Sequence, residues 1–549
     1  MPLSRSRRMR LAAILLAAVS VLALPLLADA QDDHGPTAEA AHGPDAGHGE
    51  EAEGGHGGPG IGADLSLLWV IPFVGILLSI ALGPIINHHW WEHNYPKASL
   101  IWALAFAVPF CVIFGMNGSL SVAVHEILHI YLVDYIPFII LLTGLFVAAG
   151  GIVLRGTLVG TPGVNAGFIA VGSVLASIIG TTGASMLLIR PLLRANKHRQ
   201  RRVHIVVIFI FLVSNIGGAL TPLGDPPLFL GFLHGVPFQW TLSLAPQMAV
   251  VIVLVLLVFV ALDKWYLSRE ANAVPDDSGS AQPMALAGAH NFLFLLGIMG
   301  AVLLSGLWRP GDVTVLGVHV SASSLVRDGL IVLITVAAFA ATKQTLRDEN
   351  EFEWEPIKEV GILFAGIFMT IIPALAILKA GEQGALAPVI RAANSEVAYM
   401  WLAGILSSFL DNAPTYLTFF NTALGKLHLT EAVVSDYLAN SPLPWFNSSP
   451  VDATVAAGIQ ARHPEVASMS VEALQASLQQ FGGFLKAISM GAVFMGANTY
   501  IGNAPNFMVR SIAIQDGVKM PSFFGFMAWS CAILIPIFVV VTLVFLVLI

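Results

Sequence analysis

Charge is scarce in this chain. Asp, Glu, Lys and Arg make up 11% of its 549 residues, while 56% are hydrophobic; soluble domains carry roughly a quarter charged residues. A soluble structural protein is excluded on that ground. Cysteine is nearly absent too. Cys111 and Cys531 both lie in apolar runs and read as small packing residues, not a disulfide pair. Strict apolar–polar alternation is missing, so the short alternating strands of a membrane barrel are excluded. The formal charge of -8 says little, because the sign of local loops matters more; no nucleic-acid partner is expected. What the chain does have is a series of continuous apolar windows of about 20 residues, each long enough to cross a bilayer. The fold class is an all-α polytopic membrane protein whose solvent is lipid.

The first thirty residues stand apart. Arg5, Arg7, Arg8 and Arg10 precede the apolar run Leu11 to Leu27, and Ala28-Asp29-Ala30 follows. This is the pattern of a secretory signal peptide, with cleavage expected after Ala30; an uncleaved signal anchor is the rival. A cleaved signal implies a bacterial-type inner membrane and a mature N-terminus facing the periplasm. Residues 31–62 are rich in Gly, Ala, acid and His (His34, His42, His48, His56) and cannot bury a core. A solvated tail is expected, since the histidines have no fixed ligand spacing.

Apolar windows fall near 64–86, 98–116, 132–154, 164–195, 203–234 and 242–267, and again near 291–308, 325–342, 356–379, 397–424, 481–517 and 523–549. This divides the chain into a first membrane repeat (63–267), a cytoplasmic linker (268–290) and a second membrane repeat (291–549) with a polar periplasmic insertion (425–480). In each set the fourth and fifth windows are interrupted, by "GTTGAS" (180–185) and "SNIGGALTPLGDPP" (214–227), then by "LDNAPT" (410–415) and "GANTYIGNAPN" (496–506). Matching interruptions in two halves point to a transporter binding site. The basic cluster Arg190, Arg194, Lys197, Arg199, Arg201 and Arg202 belongs on the cytoplasmic side. That placement requires 164–195 to be a re-entrant hairpin instead of a full crossing. The second set then starts on the opposite side from the first. Two inverted repeats are therefore expected, each with a re-entrant helical hairpin and a broken transmembrane helix.

Irregular backbone survives at membrane depth only where it is buried in protein or lines a watery cavity. Half-helix N-termini attract anions; unwound carbonyls attract cations. The breaks supply oxygens from Asn215, Thr221, Asp225, Asp411, Asn412, Thr415, Asn498, Thr499, Asn503 and Asn506, which suits a hard cation. Asp411 adds a full negative charge, at a cost of about 3 kcal/mol or more on insertion scales. A carboxylate there can hold a proton or a cation in turn. The alternative is a cap on the half-helix around Pro414, and both roles can coexist. Asp225, ahead of two prolines, is either a second acid or a structural turn.

Three other features need a place. His125-Glu126-Ile127-Leu128-His129 matches H-E-x-x-H, the helix of zinc proteases. A catalytic zinc wants a third protein ligand, and no partner motif follows, so an intramembrane protease is a remote alternative. Glu126 is instead a candidate for the ion path. Arg510, just beyond the last break, either answers an anion or the Asp411 charge, or marks the cytoplasmic side.

At the breaks the sequence resembles the ion transporter superfamily, which includes NhaD-type sodium/proton antiporters, arsenite permeases, citrate–metal symporters and divalent anion/sodium symporters. "SFLDNAPTYLTF" (408–419) and "GANTYIGNAPNFMVRSIA" (496–513) are similar to the paired C-terminal signatures of the antiporter and arsenite branches. "SNIGGALTPLGDPPLFLGF" (214–232) is similar to the N-terminal counterpart. The resemblance implies two hairpins whose tips meet the broken helices. One cation site would use Thr181, Thr182, Ser185, Asn215 and Thr221, and a second Asp411, Asn412, Thr415, Asn498 and Asn503. It also implies a homodimer. The carboxylate symporters carry Ser-Asn-Thr at both tips, whereas this chain has Thr-Thr-Gly and Asp-Asn-Ala, which argues against a dicarboxylate.

The expectation is a secondary active transporter, not an enzyme. It would exchange sodium for protons at Asp411, with no cofactor beyond the transported ions and no transition metal. A cation-coupled citrate or carboxylate symporter is the alternative.

Overall fold

A computed structural model describes residues 61–156, 158–270, 284–308, 310–441 and 451–548. The expected signal peptide, the tail up to residue 60 and the middle of the expected linker lie outside the described residues. The chain folds as helices with two short β-ribbons. In the first half, α1 (Ile71–Ile86) and α2 (His88–Met116) form an antiparallel pair. Then α3 (Leu120–His129) runs through a π-helical stretch (Ile130–Tyr135) into α4 (Ile136–Ala149). A strand, β1 (Val153–Arg155), precedes α5 (Pro162–Ile179) and α6 (Thr181–Ala195), which pack on each other as a helical hairpin. Thr161 starts α5 by accepting a hydrogen bond from the Val164 amide at 3.3 Å, with Pro162 in the first turn. Next come α7 (Val203–Leu212), α8 (Pro226–Leu233) and α9 (Ala245–Leu267).

The second half begins with β2 (Ala285–Ala287), antiparallel to β1, followed by α10 (Asn291–Leu307). A β-hairpin of β3 (Asp312–Val315) and β4 (Val318–Ser321) leads into α11 (Ala322–Ala341). After α12 (Gln344–Glu349) comes α13 (Glu355–Lys379), a 25-residue rod that packs on α2 and on the second hairpin. A short α14 (Ala387–Ala392) precedes that hairpin, α15 (Glu396–Phe409) and α16 (Asn412–Leu427). The expected polar insertion forms α17 (Glu431–Asn440) and α18 (Ala453–Arg462). Their apolar faces, with Val433, Val434, Ala456 and Ile459, are buried against the main core. The chain closes with α19 (Val471–Met495), α20 (Ala504–Gln515) and α21 (Phe523–Thr542).

Eight helical spans among the described residues are long and apolar enough to cross a membrane: 67–84, 93–116, 120–149, 162–179, 238–267, 322–341, 355–379 and 523–548. The outer helices leave large apolar side chains exposed (Leu100, Ile101, Leu104, Val108), as lipid-facing helices do, while α7, α16 and the part of α19 from Phe481 onward are buried nearly throughout. The molecule is thus an all-α, multi-pass membrane fold, with its interrupted helices at the centre.

Candidate functional site

The windows 203–234 and 481–517 are each two helices separated by unwound backbone. In the first, α7 ends at Leu212 and α8 starts at Pro226. In the second, α19 ends at Met495 and α20 starts at Ala504. Pro226, Pro227 and Pro505 sit in first turns, where their missing N–H removes no helical bond. Pro414 does the same for α16, so it begins a half-helix instead of breaking one. Gly180, at φ +81°, is the single residue separating α5 from α6. Leu410 and Asp411 separate α15 from α16.

The two halves brace their breaks with the same contacts. Thr221 donates its hydroxyl to the Ser177 carbonyl and accepts from the Leu223 amide. Thr499 donates to the Ser408 carbonyl and accepts from the Ile501 amide. Ser177 donates to the Gly217 carbonyl, and Ser408 to that of Met495 at 3.1 Å. Glycine is required where the unwound strands touch. A Cβ on Gly502 would lie 2.5 Å from the Gly496 oxygen and 2.6 Å from that of Ser407, and a Cβ on Gly224 would meet the Gly218 oxygen.

Asp225 is the node that joins the two hairpins and the two breaks. Its Oδ1 accepts from the Thr181 hydroxyl (3.1 Å, first hairpin) and from Asn503 Nδ2 (2.9 Å, second break). Its Oδ2 accepts from Asn412 Nδ2 (2.6 Å, second hairpin). All four residues are buried. Asp411 caps α16, accepting from the Ala413 amide at 3.0 Å. Both readings of Asp411 therefore have a place, because the residue also lines a cavity.

That cavity, about 660 Å³ in volume, runs down to Thr181, Thr182, Asp225, Asp411 and Asn503, with Tyr500 and Ile501 beside them. Its mouth holds Arg190, Glu351, Glu353, Glu355 and Glu359. The lone guanidinium there, Arg190, pairs with Glu351 at 2.7 Å. Trp91 is buried in the cavity wall, while Trp90 stays exposed.

The remaining candidates are structural braces around this point. Asn506 donates to the Gly496 and Thr499 carbonyls, and its oxygen accepts from Asn215 at 2.6 Å. Ser185 pairs with Ser214 at 2.8 Å. Asn498 donates to Ser408 Oγ, and Thr415 bonds the Asp411 carbonyl within its own helix. Among the candidate residues, the buried amide oxygens of Asn215, Asn412 and Asn498 have no hydrogen-bond partner, as is also true of Asn421 farther along α16. Such orphaned acceptors suit a cation's ligand shell.

Two of the candidates lie away from the cavity. Arg510 does not line the cavity: its guanidinium stacks behind the Tyr500 ring at 4.8 Å, so it answers neither Asp411 nor a substrate anion there. Glu126 does not line the cavity either; it lies on α3, toward the far end of α13. The rings of His125 and His129 are 6.1 Å apart, and no group of three His, Cys, Asp or Glu able to hold a metal occurs among the described residues. Ser177, Ser407, Ser408 and Ser214 were missed as contacts of the breaks. Overlaying the two hairpins would have found the first and third, which stand three residues before Gly180 and Asp411 respectively.

The model of the CitMHS_2 family, described as "Putative citrate transport", matches residues 62–546. The chain belongs to the CitMHS_2 family. A comparison with curated proteins gives no match. For this CitMHS_2 member, the family and the eight apolar spans together make a multi-pass membrane transporter, and the cavity-linked pair of buried Asp225 and half-buried Asp411 is its candidate transport site.

Proposed function

We propose that this CitMHS_2 protein is a secondary active transporter that exchanges a small cation, sodium first among them, for protons. Asp411 is the exchanging carboxylate and Asp225 the buried acid that organises the site. The inner end of the cavity carries this reading. It presents two carboxylates with hydroxyl and amide groups, and no Lys or Arg among its described lining residues lies beyond Arg190 at the mouth. A multiply charged anion would need buried positive charge there. Four half-helix N-termini do converge on the site, at Thr181, Pro226, Asn412 and Ala504, but Asp225 and Asp411 already answer two of those positive ends. The acidic mouth draws cations in and repels citrate.

Asp411 can bind a proton or a cation but not both, and that competition is the least chemistry an exchanger needs. Thr181 and Asn503 hold Asp225, while Asn412, fixed by its own bond to Asp225, offers its free oxygen. The family description favours a second reading, uptake of citrate or a related carboxylate with a cation, and a cavity of this volume admits either cargo. The wider proposal includes two inverted repeats, supported by the recurring contacts at the breaks, a homodimer, and an inner-membrane location with the mature N-terminus in the periplasm.

Proteoliposomes carrying a fluorescent pH probe test the choice. Added sodium should move protons and added citrate should not. Asp411→Asn should abolish the sodium response; unchanged exchange in that variant removes the proposed site.

A further inference from the structure

The cavity follows only one half of α13. Its lining takes Glu355, Pro356, Ile357, Glu359, Val360, Leu363, Phe364 and Ile367 from that helix and stops. The last twelve residues, about 18 Å of helix, run on through packed core to Lys379. On this far side Asp225 is separated from the surface by α8, eight residues or about 12 Å long. Tyr416 and Phe420 fill the space beside it and, like Phe229 of the cavity wall, are almost wholly buried.

Beyond these rings stands a group of charges with no place in the transport site. His234, which ends α8, is flanked by Glu431 Oε2 at 2.8 Å from Nδ1 and by Asp134 Oδ1 at 3.1 Å from Nε2. Lys379 Nζ donates to the other Glu431 oxygen at 2.9 Å. Asp134 is 1% exposed and His234 6%. The four residues come from four elements: the π-helical stretch, α8, α13 and α17. The π stretch is itself tied to α13 by the Tyr131 and Tyr135 hydroxyls, which donate to the carbonyls of Ala365 and Gly361. Glu126 and His129 on α3 face the same group, and their charges bear on Lys379 and Asp134. Glu126 and His129 of the apparent zinc motif therefore belong with this cluster.

We propose that Asp134, His234, Glu431 and Lys379 form a breakable latch that closes the pathway on the side opposite the cavity, and that opening this side separates Glu431 from His234 and Lys379. An apolar plug alone would stay shut, because wetting it is always unfavourable. Ion pairs differ: burying them costs desolvation that their attraction only roughly offsets, so a dry closed state and a hydrated open state lie close in free energy. The Glu431 and Lys379 side chains are 33% and 49% exposed, so hydration can start from their side. The inference rests on the transport reading but not on the identity of the cargo.

The test uses the full chain with Cys111 and Cys531 replaced by alanine and a reporter thiol at the cavity wall, Thr182→Cys. A membrane-impermeant thiol reagent is applied to right-side-out and inside-out vesicles. With the latch intact, labelling is fast from the cavity side and slow from the other. Glu431→Gln and His234→Gln should each speed labelling from the slow side by about tenfold, a modest population shift. In a second variant without the reporter, Lys379→Cys/Glu431→Cys is bridged by a reducible bifunctional reagent. Transport should stop and return on reduction. Unchanged slow-side labelling in both glutamine variants, or undiminished transport by the bridged protein, overturns the latch. If labelling follows the latch while neither sodium nor citrate moves, the latch stands and the cargo reading fails.

Discussion

Replacing Asp225 separates what it does for the fold from what it does for the cargo. In Asp225→Asn the amide oxygen can keep Thr181 and Asn503 as donors, and the new Nδ2 then faces the Nδ2 of Asn412 across 2.6 Å. Asn412 resolves the clash by turning its amide over, since its own oxygen has no partner to lose. The three bonds survive without charge assistance, at a cost of about 1 kcal/mol each, and removing a buried charge offsets much of that. The thermal midpoint in detergent should therefore change little. The turn nevertheless puts an N–H where Asn412 had offered an oxygen, and a cation site that gains a donor and loses a charge should fail. Asp225→Asn/Asn412→Asp restores both the oxygen and the charge while keeping every contact, so exchange should partly return. Asp225→Leu leaves three buried donors unpaired, at about 1–3 kcal/mol apiece, and should lower the midpoint sharply. Proteoliposome exchange and thermal unfolding of the three variants decide the matter. Wild-type exchange by Asp225→Asn, or a double variant as inactive as the single one while equally folded, refutes the assignment.

Other substitutions probe the frame around the site. Gly502→Ala drives a Cβ into the Gly496 and Ser407 carbonyls and should sharply reduce the yield of folded protein. Gly329→Ala, which meets nothing within 4 Å in the middle of α11, should be neutral or stabilise by up to about 1 kcal/mol. Asp263 Oδ1 lies 2.7 Å from both Arg199 and His204, with Asn165 on its other oxygen. Asp263→Asn leaves the buried guanidinium with Glu270 alone, whose Oε2 lies 4.0 Å from Arg199 Nε, and should cost about 3 kcal/mol, read as a lower unfolding midpoint. Glu353→Gln and Glu359→Gln at the mouth should raise the apparent KM for the cation at low salt, with the difference closing as ionic strength rises; a difference that persists at high salt would mean a direct role.

The breaks were legible because proline, glycine and short polar side chains are costly in an apolar run unless they do something. "LDNAPT" and "LGDPP" carry that signal whatever the tertiary fold. The relative weight of the two acids was not legible. Asp411 stands amid apolar residues and draws attention, whereas Asp225 reads as part of a proline turn. That it gathers donors from three other elements depends on contacts across 44 to 278 positions of chain. The same limit applies to Arg510, since no local pattern shows that it lies against Tyr500. Glu126 is a candidate for the ion path by sequence, but only packing shows which end of α13 it faces. Serines were undervalued because an isolated hydroxyl in a helix ordinarily bonds its own backbone. Ser177 instead reaches the Gly217 carbonyl, and Ser408 reaches that of Met495 as well as its own helix.

The stretch carrying α17 and α18 has no counterpart between the first hairpin and its broken helix: 7 residues join α6 to α7, against 43 between α16 and α19. Glu431 belongs to that surplus. A duplicated molecule with equal halves would be indifferent to which way it faced. One half here brings its own bolt, and that indifference is gone. The resting ensemble should lean toward a single orientation, and cargo should cross more readily in one direction than in the other when the driving gradients are matched.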